Sequence, residues 1–360
     1  MAGVFGSAVL GVWDFGISRT DCEFGVFWNN FLPRFECEFG DFRLPSSRAP
    51  CLGVLMLTIY PNQIGYVPVL GTEIFYTALL LAAVLTVICA KTRAELLLAG
   101  AAFGFATLTK AQTLFLPAAL FTAWWLAAAI RARRFSCLGK VVIIYATMAV
   151  VILPWTIRNY LVFGEFIFIS TNGGGTLLTG NNPSASGDYT ENDALVQQVP
   201  SDAAGQVAND RLATRLALKW IYDNLAKFVL LIPKKIWRLW APDGESEWSY
   251  QAGYKRYENY WRAFRVARAI NQIYYTCLIL LFLSSVAYFV RRRAPLDTYE
   301  VTGYVLVVYF TLISIVFSGQ SRFHYPLMPW IAIYAAWTVT QWRDKAKFSV
   351  GSAATRRQQL

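Results

Sequence analysis

From Cys51 onward the chain alternates long apolar runs with short polar breaks. The runs occupy roughly 51–70, 74–90, 95–109, 111–130, 141–157, 270–290, 300–318 and 326–342. An α-helix needs about 20 apolar residues to cross the hydrocarbon core of a bilayer. Several runs are shorter, so their helices must recruit flanking residues or sit in a thinned bilayer. The pattern predicts an all-α polytopic membrane protein with about eight transmembrane helices. The basic clusters Lys91/Arg93, Arg131/Arg133/Arg134, Arg291-Arg292-Arg293 and Arg343/Lys345/Lys347 lie at the ends of these runs. Loops rich in Lys and Arg stay cytoplasmic, and one alternating thread places all four clusters on that side.

The same thread divides the chain. Residues 51–157 carry about five membrane helices, 270–342 about three, and 343–360 form a basic cytoplasmic tail. Residues 158–269 fall wholly outside, as an extracytoplasmic segment of mixed and helical character. Within it, 184–204 is polar and turn-rich, and an amphipathic helical pattern follows from Gln206 to Trp240, marked by Leu212, Leu216, Trp220 and Leu225. Tryptophan interleaved with Lys and Arg over Pro233–Trp240 suits a helix in the headgroup plane. A soluble helix packed on the membrane domain fits the same residues.

The stretch Pro154–Pro183 stands apart. It leaves an apolar run, turns polar at Arg158-Asn159-Tyr160, and breaks up around Asn172-Gly173-Gly174-Gly175 and Gly180-Asn181-Asn182-Pro183. Gly and Asn tolerate positive φ, and such tetrads form turns. Its bland reading is a membrane helix leaving the bilayer through an arginine anchor. The other isolated charges sharpen the picture. On the alternating thread Glu73 starts one helix on the outer side, Lys110 sits in an outer hairpin, Arg158 marks an outer exit, and Arg322 precedes the last outer start. Charges near membrane depth point to function. Snorkelling accounts for Lys110 and Arg158 taken singly, whereas the short carboxylate of Glu73 cannot snorkel far.

Composition agrees with the pattern. The 360 residues would suggest two or three soluble domains, but 56% are hydrophobic, only 15% are charged, and the mean hydropathy is positive. The net charge of +11 sits largely at the ends of apolar runs, where it sets topology and meets lipid headgroups rather than nucleic acid. Six cysteines show no metal-ligand spacing and predict neither a disulfide framework nor a zinc site. Residues 1–50 contain no spanning run and no signal-peptide pattern, and they repeat Cys-Glu-Phe-Gly at 22–25 and 37–40. They are expected to be poorly ordered, and the change of style near Ala49 reads as a frame change or a misassigned start.

Several motifs carry a resemblance. They are Tyr60-Pro61-Asn62-Gln63-Ile64-Gly65-Tyr66 with Gly71-Thr72-Glu73, Gly104–Lys110, Pro154–Tyr160 with Ser170–Gly174 and Gly180–Pro183, and Ser321-Arg322-Phe323-His324-Tyr325-Pro326. In order and placement they make the chain from about Ala49 to Trp342 resemble the glycosyltransferase C superfamily. The likeness is to bacterial relatives of the dolichyl-phosphate-mannose protein mannosyltransferases and of the aminoarabinose transferases. The resemblance implies an enzyme of the bacterial inner membrane, active on the extracytoplasmic face. It would move a mannose-like hexose or an aminoarabinose-like sugar from a polyprenyl-phosphate carrier to a lipid, glycan or protein acceptor. It gives Glu73 the catalytic carboxylate role, holding a divalent metal ion or orienting sugar hydroxyls, and leaves the need for that cofactor open. Lys110, Arg158 and Arg322 become the cations for the lipid phosphate, with Asn159 and Tyr325 beside them. Asn172, Asn181 and Asn182 become amides for the sugar, while His324 reads as a spectator facing the headgroups.

In that superfamily the principal carboxylate lies in the first outer loop, upstream of the matching part. Asp14, Asp21 and Asp41 follow no membrane helix, so the resemblance also admits an inactive chain lacking the first catalytic loop. A transporter or flippase of lipid-linked saccharides is a second reading, against which stands the lack of an internal repeat. A non-catalytic membrane assembly protein is a third.

Overall fold

The computed structural model of the protein describes residues 48–69, 71–130, 137–200, 205–244, 246–292 and 298–357. The segment expected to be poorly ordered, 1–50, lies outside them except for its last three residues. So do Arg131, Arg133, Arg134 and Arg293 and the side chains of Lys345 and Lys347. Among the described residues the chain is helical throughout, without strands. The helices are α1 (Arg48–Thr58), α2 (Pro61–Tyr66), α3 (Thr72–Cys89), α4 (Arg93–Thr109), α5 (Leu116–Ile130), α6 (Leu138–Phe163), α7 (Gly173–Gly180), α8 (Gln206–Asp223), α9 (Leu225–Trp240), α10 (Ser246–Gly253), α11 (Tyr257–Arg292), α12 (Thr298–Val316) and α13 (Met328–Arg357).

Four helical stretches among the described residues are long and apolar enough to cross a membrane: Thr72–Cys89, Ala111–Ile130, Leu138–Phe163 and Tyr257–Arg291. Glu300–Val316 is apolar but shorter. The first expected span, 51–70, is broken in two. Proline lacks an N–H and clashes with the preceding turn inside a helix, so Pro61 ends the path of α1 and takes the first position of α2. The expected boundaries at 157 and 269 both fall inside helices. α6 runs through Pro154 to a left-handed cap at Gly164, and α11 is one 36-residue rod.

Close packing explains how these helices assemble. α4 lies against both α3 and α6, and its start is fixed by a capping box in which Thr92 accepts from the Glu95 N–H and Glu95 accepts from the Thr92 N–H. Gly100 and Gly104 face α6: a Cβ on Gly100 would come within 2.9 Å of the Ile144 carbonyl oxygen, and one on Gly104 within 2.8 Å of Val151. Small residues four apart let apolar helices approach backbone to backbone, where dispersion replaces the missing hydrophobic drive. α13 packs on α1 and α11, and α12 on α5. Rings interleave at these contacts, with Tyr304 stacked on Tyr334 at 4.7 Å and Phe289 on Trp337 at 4.7 Å.

The amphipathic stretch 206–240 forms two helices that break at Asn224. The face that α8 buries is Ala213, Ala217 and Trp220, one residue past the expected Leu212 and Leu216, which are only half-buried. The reason lies in α7, whose Leu177 and Leu178 already fill the space against the two alanines and form a small second core.

Candidate functional site

Glu73 lies in the first turn of α3, and Lys110 caps the end of α4 in an extended conformation. Their side chains pair at 3.3 Å with only 12% and 16% exposure. The Lys110 ammonium also lies 5.4 Å from the Tyr76 ring centre and 6.0 Å from that of Phe323. The Arg322 guanidinium lies 5.3 Å from the same Phe323 ring centre and donates to Gln320 Oε1 at 2.7 Å. Tyr325, 1% exposed, packs on Tyr66 at 4.7 Å and its hydroxyl donates to Gln63. Burial pushes that hydroxyl well above the ordinary phenol value, and the charges of Glu73 and Asp243 add to the rise.

The Tyr76 hydroxyl, on the ring that Lys110 overlies, shares a hydrogen bond with Thr113 at 2.7 Å and meets the Gln112 side chain. The arrangement thus offers a carboxylate, two cations and a buried phenol.

The other sequence-predicted residues serve elsewhere. Arg158 is exposed, lies 5.1 Å over the Trp155 ring and donates to Asn159 Oδ1 at 3.1 Å. Asn159 is 2% exposed, and its amide donates to the carbonyls of Ile167 at 3.3 Å and Ile169 at 3.2 Å. It hooks the loop after α6 back onto that helix. Asn172 is exposed at the start of α7 and accepts from the Ser170 hydroxyl at 2.7 Å. Asn181 and Asn182 are buried and bonded within the frame. Asn182 donates to Leu178 and Thr179 carbonyls at 3.0 and 3.1 Å and accepts from the Ser184 N–H at 3.1 Å. Asn181 donates to Leu177 at 2.8 Å and Val316 at 2.9 Å and accepts from Lys235 at 2.7 Å. Amides so engaged leave a sugar little to bind.

Lys235, the partner of Asn181, is completely buried. Its ammonium also donates to Ile315 O at 2.9 Å and Val316 O at 3.4 Å, the last carbonyls of α12. A cation at a helix C-terminus is favoured by the helix dipole. The backbone closes tightly around it. Gly187 takes φ +94°, and a Cβ on Gly319 would overlap the Lys235 carbonyl. With no carboxylate among these partners, burial pushes the amine down to about 8. An unfolded lysine holds its proton to about pH 10.4, so between these values the unfolded chain binds more protons and stability rises with pH. The unfolding midpoint in detergent should climb between pH 8 and 9.5. The full window is worth up to about 3 kcal/mol. Lys235→Met should flatten the climb, and a slope unchanged in that variant would assign it to other groups.

A second buried cluster adjoins the first and escapes sequence reasoning. The Asp243 carboxylate, 3% exposed, accepts from Tyr60 at 2.5 Å, Asn62 at 2.7 Å, Asn271 at 2.9 Å and His324 Nε2 at 3.2 Å. His324 Nδ1 contacts the Leu239 carbonyl at 2.5 Å, and its ring stacks with Trp240 at 5.7 Å and with Tyr275 at 4.9 Å. Burial pushes the Asp243 carboxyl up, but the hydrogen bonds and charge of His324, with those of Tyr60 and Asn271, hold it below the usual aspartate value. His324 is therefore a fully buried structural partner and not a residue facing the headgroups. Its neighbour Tyr60-Pro61-Asn62-Gln63 carried the resemblance, whereas Asp243, in Pro242-Asp243-Gly244, looks in sequence like turn punctuation.

Among the described residues no group of three or more His, Cys, Asp or Glu side chains is placed to hold a metal ion. Compared with protein-family models, curated proteins and solved structures, the chain matched none.

Proposed function

We propose that this protein is a membrane glycosyltransferase that takes a sugar from a polyprenyl phosphate and delivers it to an acceptor on the extracytoplasmic face. The observation that carries the reading is the Glu73–Lys110 pair, set at one end of α3 and α4 beside Arg322 and Tyr325 from a segment more than 200 residues away. In the reaction the acceptor oxygen bonds to the anomeric carbon as the bond from that carbon to the phosphate oxygen breaks. The electron pair leaves on the lipid phosphate, and the acceptor proton passes to a carboxylate. Glu73 suits the last role. Lys110 as a point charge and Arg322 as a planar fork suit the departing phosphate.

The finer topology belongs to the same proposal. In it the shorter helices α4 and α12, and the apolar part of α13, also cross the bilayer, and the Glu73 end faces outward. Tyr189→Cys, in a cysteine-free chain, should then react with a membrane-impermeant maleimide applied outside, and Gly139→Cys should not. The reverse labelling would invert the topology and put the site on the wrong side for this donor. The activity itself is tested with the purified chain and labelled polyprenyl-phosphate hexose or aminoarabinose. Label should move to acceptor with equimolar release of polyprenyl phosphate, and failure with both donors across lipid, glycan and protein acceptors would end the proposal.

A further inference from the structure

A hollow of about 500 Å³ lies between the loop at Ser186 and one face of α9, lined by Ser186, Pro233, Lys234, Trp237 and Arg238. It belongs to neither buried cluster. α9 buries Leu231, Lys235 and Leu239, and the opposite face is an unusual mixture. Val229, Leu230 and Trp237 are exposed by 58%, 68% and 70%, with Lys227, Lys234 and Arg238 exposed among them. Large apolar groups are also exposed at Leu225, the first residue of α9, and at Leu218 and Tyr222 of the preceding helix. A soluble surface seldom presents so many large apolar groups together.

The place of this face in the fold limits what can cover it. α9 contacts the last turns of α12. Lys235 bonds the Ile315 and Val316 carbonyls, and five residues later Trp240 Nε1 donates to Thr311 Oγ1 at 3.1 Å. The apolar stretch Glu300–Val316 therefore ends where α9 crosses it. An amphipathic helix with tryptophan and basic residues at the end of apolar helices meets the boundary between acyl chains and headgroups.

Charge identifies the occupant. Lys234 and Arg238 stand one helical turn apart on the hollow. Among the described residues Asp188 pairs with Arg238 there, at 4.0 Å, so the two cations that line the hollow exceed their paired carboxylate by one charge. That surplus matches the single negative charge of a phosphodiester, and the volume is that of a ligand pocket. Pro233 and Trp237 supply an apolar wall for the glycerol backbone and the first acyl carbons, and Ser186 supplies a hydroxyl.

We propose that α9 lies in the headgroup layer and that this hollow binds one anionic phospholipid through its phosphate, with Lys234 and Arg238 as the cations. The proposal does not depend on the transfer reaction. It is tested with the full chain in detergent by native mass spectrometry, using dioleoyl phosphatidylglycerol, dioleoyl phosphatidylcholine and inorganic phosphate as probes. The anionic lipid should be retained as a single adduct at concentrations at least tenfold below those needed for phosphatidylcholine. Inorganic phosphate should not displace it. Lys234→Gln/Arg238→Gln should weaken that adduct at least tenfold with unchanged circular dichroism, since both side chains are exposed. Equal retention of the two lipids, an unaltered adduct in the double variant, or displacement by inorganic phosphate would overturn the proposal. A second reading uses a fluorophore at Leu230→Cys in a cysteine-free chain in nanodiscs. Quenching by lipid-borne spin labels supports the interfacial placement, and quenching only by aqueous iodide overturns it.

Discussion

Glu73→Gln is expected to lower the transfer rate by at least a hundredfold while leaving the protein folded and inserted. The substitution keeps the shape of the side chain and lets it still accept from Lys110, so the pairing geometry at 3.3 Å survives. What disappears is the group able to take a proton, and general-base contributions run to about 10²–10⁴-fold. Lys110→Met should do comparable damage for a different reason. It leaves Glu73 without its ion-pair partner at 12% exposure and removes the point charge nearest the proposed phosphate. If the two act as a unit, the double variant should be hardly slower than either single one, because effects within one constellation do not add. Measured turnover with saturating donor and acceptor decides the matter. Full activity in both single variants would move the site away from this pair, whatever their stability.

The sequence pattern set Glu73, Lys110, Arg158 and Arg322 at helix ends on one side; in the structure Glu73 pairs with Lys110 and the Phe323 ring meets both Lys110 and Arg322, while Arg158 lies over Trp155. Membrane insertion reduces the placement of a charge to which end of which helix it occupies, and helix ends are readable from apolar runs and basic clusters. The helix type was legible for the same reason. Lateral detail was not. Lys234 and Lys235 are neighbours in one basic stretch, yet one is exposed and the other fully buried. Only the phase of α9 against α12 separates them, and that phase depends on a contact 80 residues away. Asn181 and Asn182 read as loop amides because Gly-Asn-Asn-Pro forms turns, but a turn can be buried when its amides satisfy surrounding carbonyls. The run 51–70 reads as one span because its apolar content outweighs Pro61, at which the helix breaks.

The two buried clusters also share a task that neither shows alone. Residues 317–327, which carry Arg322, Phe323 and Tyr325, are gripped on one side by Lys235 and Asn181 at the end of α12. On the other side His324 ties them to Asp243 and the Leu239 carbonyl. A short segment held at both ends gives its side chains fixed positions, which is what a preorganised site requires. Gly319 fits the same scheme, since bulk there would force the segment away from α9, as bulk at Gly187 would force away its own loop.

Asp243→Ala should therefore be the most destabilising single change in this region, by about 3–5 kcal/mol, the range seen when one partner of a buried ion pair is removed. The variant strands four buried donors at once: the Tyr60 hydroxyl, the Asn62 and Asn271 amides, and His324 Nε2. Tyr60→Phe, which removes one donor and leaves the carboxylate three others, should lose only about 1 kcal/mol. The damage is not repaired by water, because the site is closed by stacked rings. Thermal or denaturant unfolding in detergent, followed by circular dichroism, measures both variants. Acid should imitate the first. The folded Asp243 carboxyl titrates below its unfolded value of about 3.9, so its contribution is present above that value and is lost as pH falls through the lower, folded one. Asp243→Ala/His324→Phe should recover part of the loss by removing the imidazole that Asp243→Ala leaves unpaired, since apolar replacement of both partners of a buried pair is often nearly neutral. A double variant no better than Asp243→Ala would mean that the stranded tyrosine and asparagines dominate, with the histidine a minor member of the network. Asp243→Ala unfolding within 1 kcal/mol of the native chain would mean that the carboxylate's desolvation already offsets its hydrogen bonds, and the segment carrying Arg322 and Tyr325 would then be held chiefly by Lys235.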